Sequence, residues 1–283
     1  MRNPQTQGQH DGSRTPPDPD LLLTVSIVTF EPDIAELDAT LKSLTKALSA
    51  LDKAAVAITI TDNSAQDRLS VFLQSALKGW NYRLIHGQGK VGFGCGHNLA
   101  IARLGQFHLI LNPDIEMEPD ALQKALDFMQ AHPSCALLSP HAVWPDGKRQ
   151  YLCKRYPAAI DLLIRGFAPQ AIRKHFKARL DRYEMQAETQ ADVFWNPPIV
   201  SGCFMFFRSS VLYDLGGFDP GYFLYFEDFD LSIRCGRHAA IAYVPQLRVV
   251  HAGGHASRKG GWHIRQFIRS ARRFYATHGL KIL

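Results

Sequence analysis

The chain has 283 residues, 46% hydrophobic and 20% charged, enough to bury one large core with at most a small appendage. No apolar run nears the roughly 20 residues that cross a bilayer, which excludes a membrane-spanning helix. A net charge of +6 calls for an anionic partner, and nucleic acid, anionic lipid and a nucleotide diphosphate are all open at this level.

Residues 1–20 are rich in Pro, Gln, Gly and Asp and read as a disordered tail. They lack the apolar core of a signal peptide, so a cytoplasmic location is expected. LLLTVSIVTF, 21–30, reads as a strand buried on both faces. Residues 33–51 have helical spacing, with Ile34, Leu37, Leu41, Leu44 and Leu48 on one face. A strand over 55–61 ends at the turn-forming trio Asp62, Asn63 and Ser64. A helix over 64–77 and a strand over 82–86 follow. Next comes the glycine-rich loop GQGKVGFGCGHN, leading into a helix from Asn98 to Leu104. A strand over 108–111 ends in Asn112-Pro113-Asp114, and a helix begins near Pro119. This β-α-β alternation predicts an α/β fold with a mostly parallel sheet flanked by helices. Ligands of such sheets sit at the carboxyl ends of the strands, where Asp62, the glycine-rich loop and Asp114 all fall.

The second half is more mixed. A hairpin is expected over 136–151 about Pro145-Asp146-Gly147, and a basic, irregularly helical stretch over 160–183. A strand over 200–208, a short helix over 209–215, a helix from Glu227 and a last strand over 240–251 complete the domain. The basic amphipathic helix 262–278 interleaves Trp262, Phe267, Ile268 and Phe274 with Arg265, Arg269, Arg272 and Arg273. It suits an anionic membrane surface, or docks on the domain with its arginines outward. Five scattered cysteines, an odd number without CxxC pairs, predict free thiols.

The chemistry concentrates in YFLYFEDFDL, 222–231. Glu227, Asp228 and Asp230 are wedged among aromatic residues, so at least one carboxylate faces a semi-enclosed site that can hold a general base near a useful pKa. Asp230, two residues past Asp228 on a helix, points elsewhere and is read as structural. Asp114 is one carboxylate for a divalent ion, with His251 in VVHAGGHASRKG as its partner. Arg258, in the same loop, is placed to close over phosphates. The glycine spacing does not give a dinucleotide fingerprint, and no nucleic-acid motif is present.

Taken together, VSIVTF, TDNSA, VGFGCGHNLAI, LILNPDIEM, SGCFMFFRSS, GGFDPGYFLYFEDFDLSIR and VVHAGG resemble the family 2 glycosyltransferases of GT-A fold. Within them the chain looks most like the bacterial rhamnosyltransferase branch. The resemblance spans about residues 23–257 and implies a nucleotide-binding half, 21–131, an acceptor and catalytic half, 132–257, and an appended helix, 258–283. It implies that Thr29, Phe30 and Glu31 line a nucleoside pocket and that Asp62 bonds the base. Gly92, Phe93, Gly94 and Asn98 would lie along the sugar and ribose. Asn112 stands where many members carry the first acid of a metal motif, and Asp114 matches the last. Asp228 matches the catalytic base, Glu227 its acidic neighbour, and His251 a metal- or phosphate-contacting group.

The implied activity is inverting transfer of L-rhamnose from dTDP-L-rhamnose to a lipid-linked or polysaccharide acceptor, with Mg²⁺ or Mn²⁺. Other donors (UDP-galactofuranose or a UDP-hexose) and a non-catalytic sugar-binding module are the alternatives. The implied setting is the inner face of the plasma membrane, by peripheral contact, without nucleic acid.

Overall fold

The structure, a computed structural model of the chain, describes residues 15–253 and 260–282. The first half alternates as the periodicity predicts. It runs β1 (Leu23–Thr29), α1 (Ile34–Leu48), β2 (Val56–Asp62), α2 (Ser70–Ala76), β3 (Tyr82–Ile85), α3 (Phe93–Ile101), β4 (Phe107–Leu111), β5 (Ile115–Met117) and α4 (Ala121–Ala131). Then come β6 (Cys135–Val143), β7 (Arg149–Gln150) and β8 (Cys153–Lys154), followed by three short helices, α5 (Ala159–Phe167), α6 (Gln170–His175) and α7 (Lys177–Tyr183). The chain ends with β9 (Phe194–Trp195), β10 (Ile199–Val200), β11 (Phe204–Arg208), α8 (Ser209–Leu215), α9 (Glu227–Gly236), β12 (Ala240–His251) and α10 (Gly261–His278).

The main sheet has the order β3-β2-β1-β4-β11-β6-β12-β5. β1 pairs in parallel with β2 and β4, and every one of its residues is buried, which explains its unbroken apolar, β-branched run. β11, from the second half, runs antiparallel between β4 and β6 and joins both halves into one sheet. β4 and β5 are only a short turn apart in sequence yet lie four ladders apart in the sheet. A flat sheet would separate them by about 19 Å, while the link between them extends at most ~14 Å. The sheet therefore curls, and the Asn112-Pro113-Asp114 turn sits where it closes. α1 fastens that turn: Thr40 Oγ1 donates to Pro113 O (2.7 Å), and Met117 N donates to Ser43 Oγ (3.2 Å).

Three expectations need correction. The helix expected over 64–77 starts only at Ser70, because Asp67 accepts from the N–H groups of Leu69 and Ser70 and sets the helix start there. The helix expected from Asn98 starts at Phe93, inside the glycine-rich run. A Cβ on Gly94 would come within 2.8 Å of Phe218 Cβ, and one on Gly96 within 2.9 Å of Val28 Cγ1. These glycines let α3 lie close against β1 and the loop before α9, so they are packing devices. Finally, the tail is tethered before residue 20: Asp18 N donates to Leu104 O (2.7 Å) and the Asp18 carboxylate meets Arg103 (3.7 Å).

α10 is docked on the body. Phe274 is buried against Phe226 and Phe229, Ser270 Oγ donates to Leu224 O (2.8 Å), and Arg273 pairs with Asp219 (2.7 Å). All five cysteines are free thiols. Among the described residues no helix is long and apolar enough to cross a membrane.

Candidate active site

The register of β1 and β2 places Thr29 directly beside Asp62 at the carboxyl edge of the sheet. One Asp62 oxygen accepts from Thr29 Oγ1 (3.0 Å), Ser64 N (3.1 Å) and Ser64 Oγ (2.7 Å), so this buried carboxylate ties the end of β1 to the turn that follows β2. Phe30 is 44% exposed, with Lys90 Nζ 3.6 Å from its ring centre. Glu31 takes a positive φ of 46°, held by its N–H donating to Ser64 Oγ (2.7 Å). Of these residues Thr29, Phe30 and Lys90 line a cavity of about 450 Å³ with Asn63, Gly92, Phe93, Phe223 and Trp262, while Glu31 and Asp62, expected at a nucleoside pocket, are not in its wall.

Gly92 is required there: its φ is 90°, and a Cβ would lie 2.3 Å from Phe223 O. Gly94 and Asn98 do not reach this cavity. Gly94 faces Phe218, and the Asn98 amide is used at both ends, donating to Phe218 O (2.8 Å) and accepting from Phe218 N (2.9 Å). The expected sugar contact of Asn98 gives way to a strut between α3 and the Gly216-Gly217 turn. Lys90, Asn63 and Trp262 were missed by sequence reasoning. The cation inside a glycine-rich loop was a usable signal for Lys90. Nothing local marks Trp262, which arrives from the far end of the chain on α10.

The second cavity, about 480 Å³, contains Glu227 and Asp228 together with His251, Gln150, Lys154 and Arg165. Tyr225 (φ 70°) and Phe226 (φ 67°) both adopt left-handed backbone, an unfavourable state for aromatic residues. This sharp entry sets both acids in the first turn of α9, where the helix N-terminus favours negative charge. Asp228 Oδ2 accepts from Gly202 N (2.9 Å) and Oδ1 from Phe229 N (3.0 Å). Glu227 Oε2 is buried without a partner. Burial, with the neighbouring Asp228 charge, pushes the Glu227 carboxyl up to about 8. Burial also raises Asp228, opposed by its N–H donors from Gly202 and Phe229. Of this coupled pair, Glu227 therefore takes the shared proton, and Asp228 keeps the charge. Asp230 turns away as expected, accepting from Arg234 Nε (2.7 Å) and facing His278 Nε2 (2.8 Å).

The β5–β12 register sets His251 opposite Ile115, next to Asp114. Gln150 fixes the imidazole: its Nε2 donates to His251 O (2.8 Å), which leaves Oε1 to accept from His251 Nδ1 (2.8 Å). Nδ1 thus carries a proton and Nε2 points at Asp114 Oδ1, 3.4 Å away. Asp114 Oδ2 accepts from Gly253 N (3.2 Å). Burial would raise the Asp114 carboxyl, but a protonated His251 and backbone N–H groups together hold it below its ordinary value, and a bound cation would take the place of that imidazole proton. Asp114 Oδ1 and Asn112 Oδ1 are both buried with no hydrogen-bond partner. Two open oxygens and an aimed imidazole nitrogen fit a hard divalent cation. Among the described residues, no group of three or more His, Cys, Asp or Glu has metal-holding geometry, and Asn112 brings an amide oxygen rather than a second acid. Arg258 lies outside the described residues, as do His255, Ser257 and Lys259.

The family profile described as Glycosyl transferase family 2 matches residues 24–216, more than half of the chain. The N-acetylglucosaminyl-diphospho-decaprenol L-rhamnosyltransferase of Mycobacterium tuberculosis is 29% identical over 255 residues, covering 83% of this chain and 78% of the relative. The rhamnosyltransferase WbbL of Escherichia coli K12 is 27% identical over 199 residues, covering 64% and 70%. Among solved structures, GalNAc-T7 with UDP, GalNAc and Mn²⁺ superposes with a TM-score of 0.62 at 17% identity, covering 91% of this chain and 51% of that one. The mannosyltransferase PcManGT from Pyrobaculum calidifontis, in complex with GDP-Man and Mn²⁺, gives 0.55 at 19% identity, covering 89% and 61%. The chain thus spans about half to three fifths of these two solved chains, and the likeness to them is one of fold. The profile runs from β1 to the Gly-Gly turn before α9, over the sheet edge that carries Thr29, Asp62 and Asp114, and so the chain belongs to glycosyl transferase family 2: it is a glycosyltransferase of GT-A fold.

Proposed function

We propose that this glycosyltransferase moves L-rhamnose from dTDP-L-rhamnose to a lipid-linked acceptor of cell-surface glycan synthesis, with inversion at the anomeric carbon. The observation that carries the reading is Asp228, a half-buried carboxylate held by the N–H groups of Gly202 and Phe229, in the cavity that also holds His251. Similarity to the rhamnosyltransferases of M. tuberculosis and E. coli supports the sugar, and the name of the former supports the lipid-linked acceptor.

In this reading Thr29, Phe30, Asn63, Lys90 and Trp262 receive the nucleoside, with Phe30 and Trp262 as flat walls and Lys90 toward the diphosphate. Asp62 acts through Thr29 and Ser64, holding the pocket edge. Asp228 takes the proton from the acceptor hydroxyl as that oxygen attacks the anomeric carbon and the bond to the diphosphate breaks. Glu227, kept neutral, spares Asp228 a second charge beside it. Asn112, Asp114 and His251 would hold Mg²⁺ or Mn²⁺, which when bound supplies positive charge to the diphosphate leaving group. The setting is the cytoplasmic face of the membrane, with the arginines of α10 toward anionic lipid.

The test is nucleoside diphosphate release with dTDP-L-rhamnose, UDP-galactofuranose and UDP-hexoses, in the presence of a lipid-linked N-acetylglucosamine acceptor. Acceptor-dependent release with dTDP-L-rhamnose alone is expected, and equal turnover of a UDP-sugar would overturn the donor assignment. Asp228→Asn is expected to lower transfer at least about a hundredfold while donor binding persists. Full activity in that variant would remove Asp228 as the base.

A further inference from the structure

A third cavity, about 690 Å³, opens between α5 and α10, with Leu162, Leu163, Ile264, Phe267, Ile268 and Leu280 in its wall. Leu163, Ile268 and Leu280 are 59%, 46% and 62% exposed, an apolar strip that burial in the core does not explain. Leu162 and Phe267 also line the cavity of Glu227 and Asp228, so the groove opens from the acceptor side of the reaction centre. The stretch of α10 from Ile264 to Tyr275 runs about 17 Å, long enough for a chain of several prenyl units.

The reaction-centre cavity carries two cations on the elements that lead to the groove. Arg165 and Lys154 both lie there and share one carboxylate, Glu184, at 3.2 and 3.4 Å. Glu184 is shared between the two cations, and Asp228 is the other charged acid of that cavity. Burial and the neighbouring Arg165, opposed by Glu184, hold the Lys154 ammonium down to about 8, and an added anion would relieve that strain. The two cavities, joined at Leu162 and Phe267, together present a base, two cations and a hydrocarbon wall. A sugar joined through a diphosphate to a polyprenyl chain presents the complementary set: hydroxyl, anion, hydrocarbon.

We propose that the α5–α10 groove holds the hydrocarbon chain of a polyprenyl-diphosphate-linked acceptor, with Arg165 and Lys154 on its diphosphate. This rests on the lipid-linked reading above and deepens it, since the chain itself becomes part of what is recognised.

The experiment measures binding of geranylgeranyl diphosphate, geranyl diphosphate and inorganic diphosphate to the purified full chain, below micellar concentrations. The longer chain is expected to bind at least about tenfold tighter than the shorter. Leu163→Glu and Ile268→Glu should each erase that ratio, and Arg165→Ala should weaken all three ligands together. The melting temperature and dTDP-L-rhamnose binding serve as folding controls, with Leu163→Ser and Ile268→Ser as milder variants if the glutamates unfold the chain. Equal binding of the two chain lengths would overturn the proposal. So would loss of binding to phosphatidylglycerol vesicles in Ile268→Glu with the chain-length ratio intact, which would make the strip a bilayer contact. A preserved chain-length ratio in a protein that transfers no rhamnose would sustain the groove and defeat the donor assignment instead.

Discussion

The two sides of the reaction centre are built in different ways. On the nucleotide side, Thr29 and Asp62 stand at the ends of parallel strands, and pairing register decides their neighbours: Thr29 meets Asp62 because β1 and β2 are aligned. On the acceptor side, the acids are held by strained backbone at Tyr225 and Phe226 and by a helix that returns from the end of the chain. The first side takes its frame from the sheet edge and the glycine-rich loop, with Trp262 of α10 added at one wall. The second needs α9 and α10 clamped together, because Tyr225 and Phe226 hold left-handed backbone only while the surroundings enforce it.

Breaking the clamp is the largest effect expected. Asp230 is buried between Arg234 and His278, and Arg234 also donates to Leu215 O (2.9 Å) and Gly217 O (2.8 Å) of the Gly-Gly turn. Asp230→Ala removes the hub and leaves Arg234 without its acid. A loss of about 3 kcal/mol is expected, read by urea unfolding. Transfer should fall with it, since α10 lines both cavities, while Thr29→Val leaves α10 seated. An Asp230→Ala protein of normal stability would show that the acceptor side is as self-sufficient as the nucleotide side.

The same contrast explains what was legible in the sequence. The order of strands, the buried β1 and the edge positions of Asp62 and Asp114 follow from periodicity and the rule for ligands of parallel sheets. Asp230 was also readable, because two residues along a helix turn a side chain away from Asp228. The start of α3 was not. Gly94 and Gly96 look like loop residues until Phe218 and Val28 are seen against them. Lys154, Arg165 and Glu184 escaped notice because no local pattern unites them; they meet only when α5, α7 and the hairpin fold over α9. Trp262 reaches the nucleotide cavity for the same non-local reason.

Glu227 offers a pH test of the acceptor side. Its carboxyl is raised to about 8 by burial and by Asp228, well above the ordinary value it regains on unfolding. The folded state therefore holds an extra proton between those two values. The stability tied to it is full at the acid end of that window and is lost as pH rises through about 8. The decline can reach ~1.4 kcal/mol per pH unit. Glu227→Gln keeps the shape without the ionisation, so its melting temperature should change less between pH 5.5 and pH 8.5 on this account (roughly the window that linkage defines). An equally steep decline in the variant would mean that other groups carry the pH dependence.

The smallest effect belongs to the nucleotide side and has two opposed signs. Asn112→Asp puts a second carboxylate beside Asp114, whose free oxygen and that of Asn112 are both buried without partners. Without a cation the added charge is buried next to a like charge, so the melting temperature should drop. With Mn²⁺ present the same oxygen becomes a charged ligand, and affinity should rise about tenfold, close to 1.4 kcal/mol. Titration calorimetry with Mn²⁺ and thermal unfolding with and without the ion read the two signs separately. A drop in stability that Mn²⁺ does not reverse would mean that the two open oxygens face protein alone, and that the sheet closure between β4 and β5 is a structural joint without a cation.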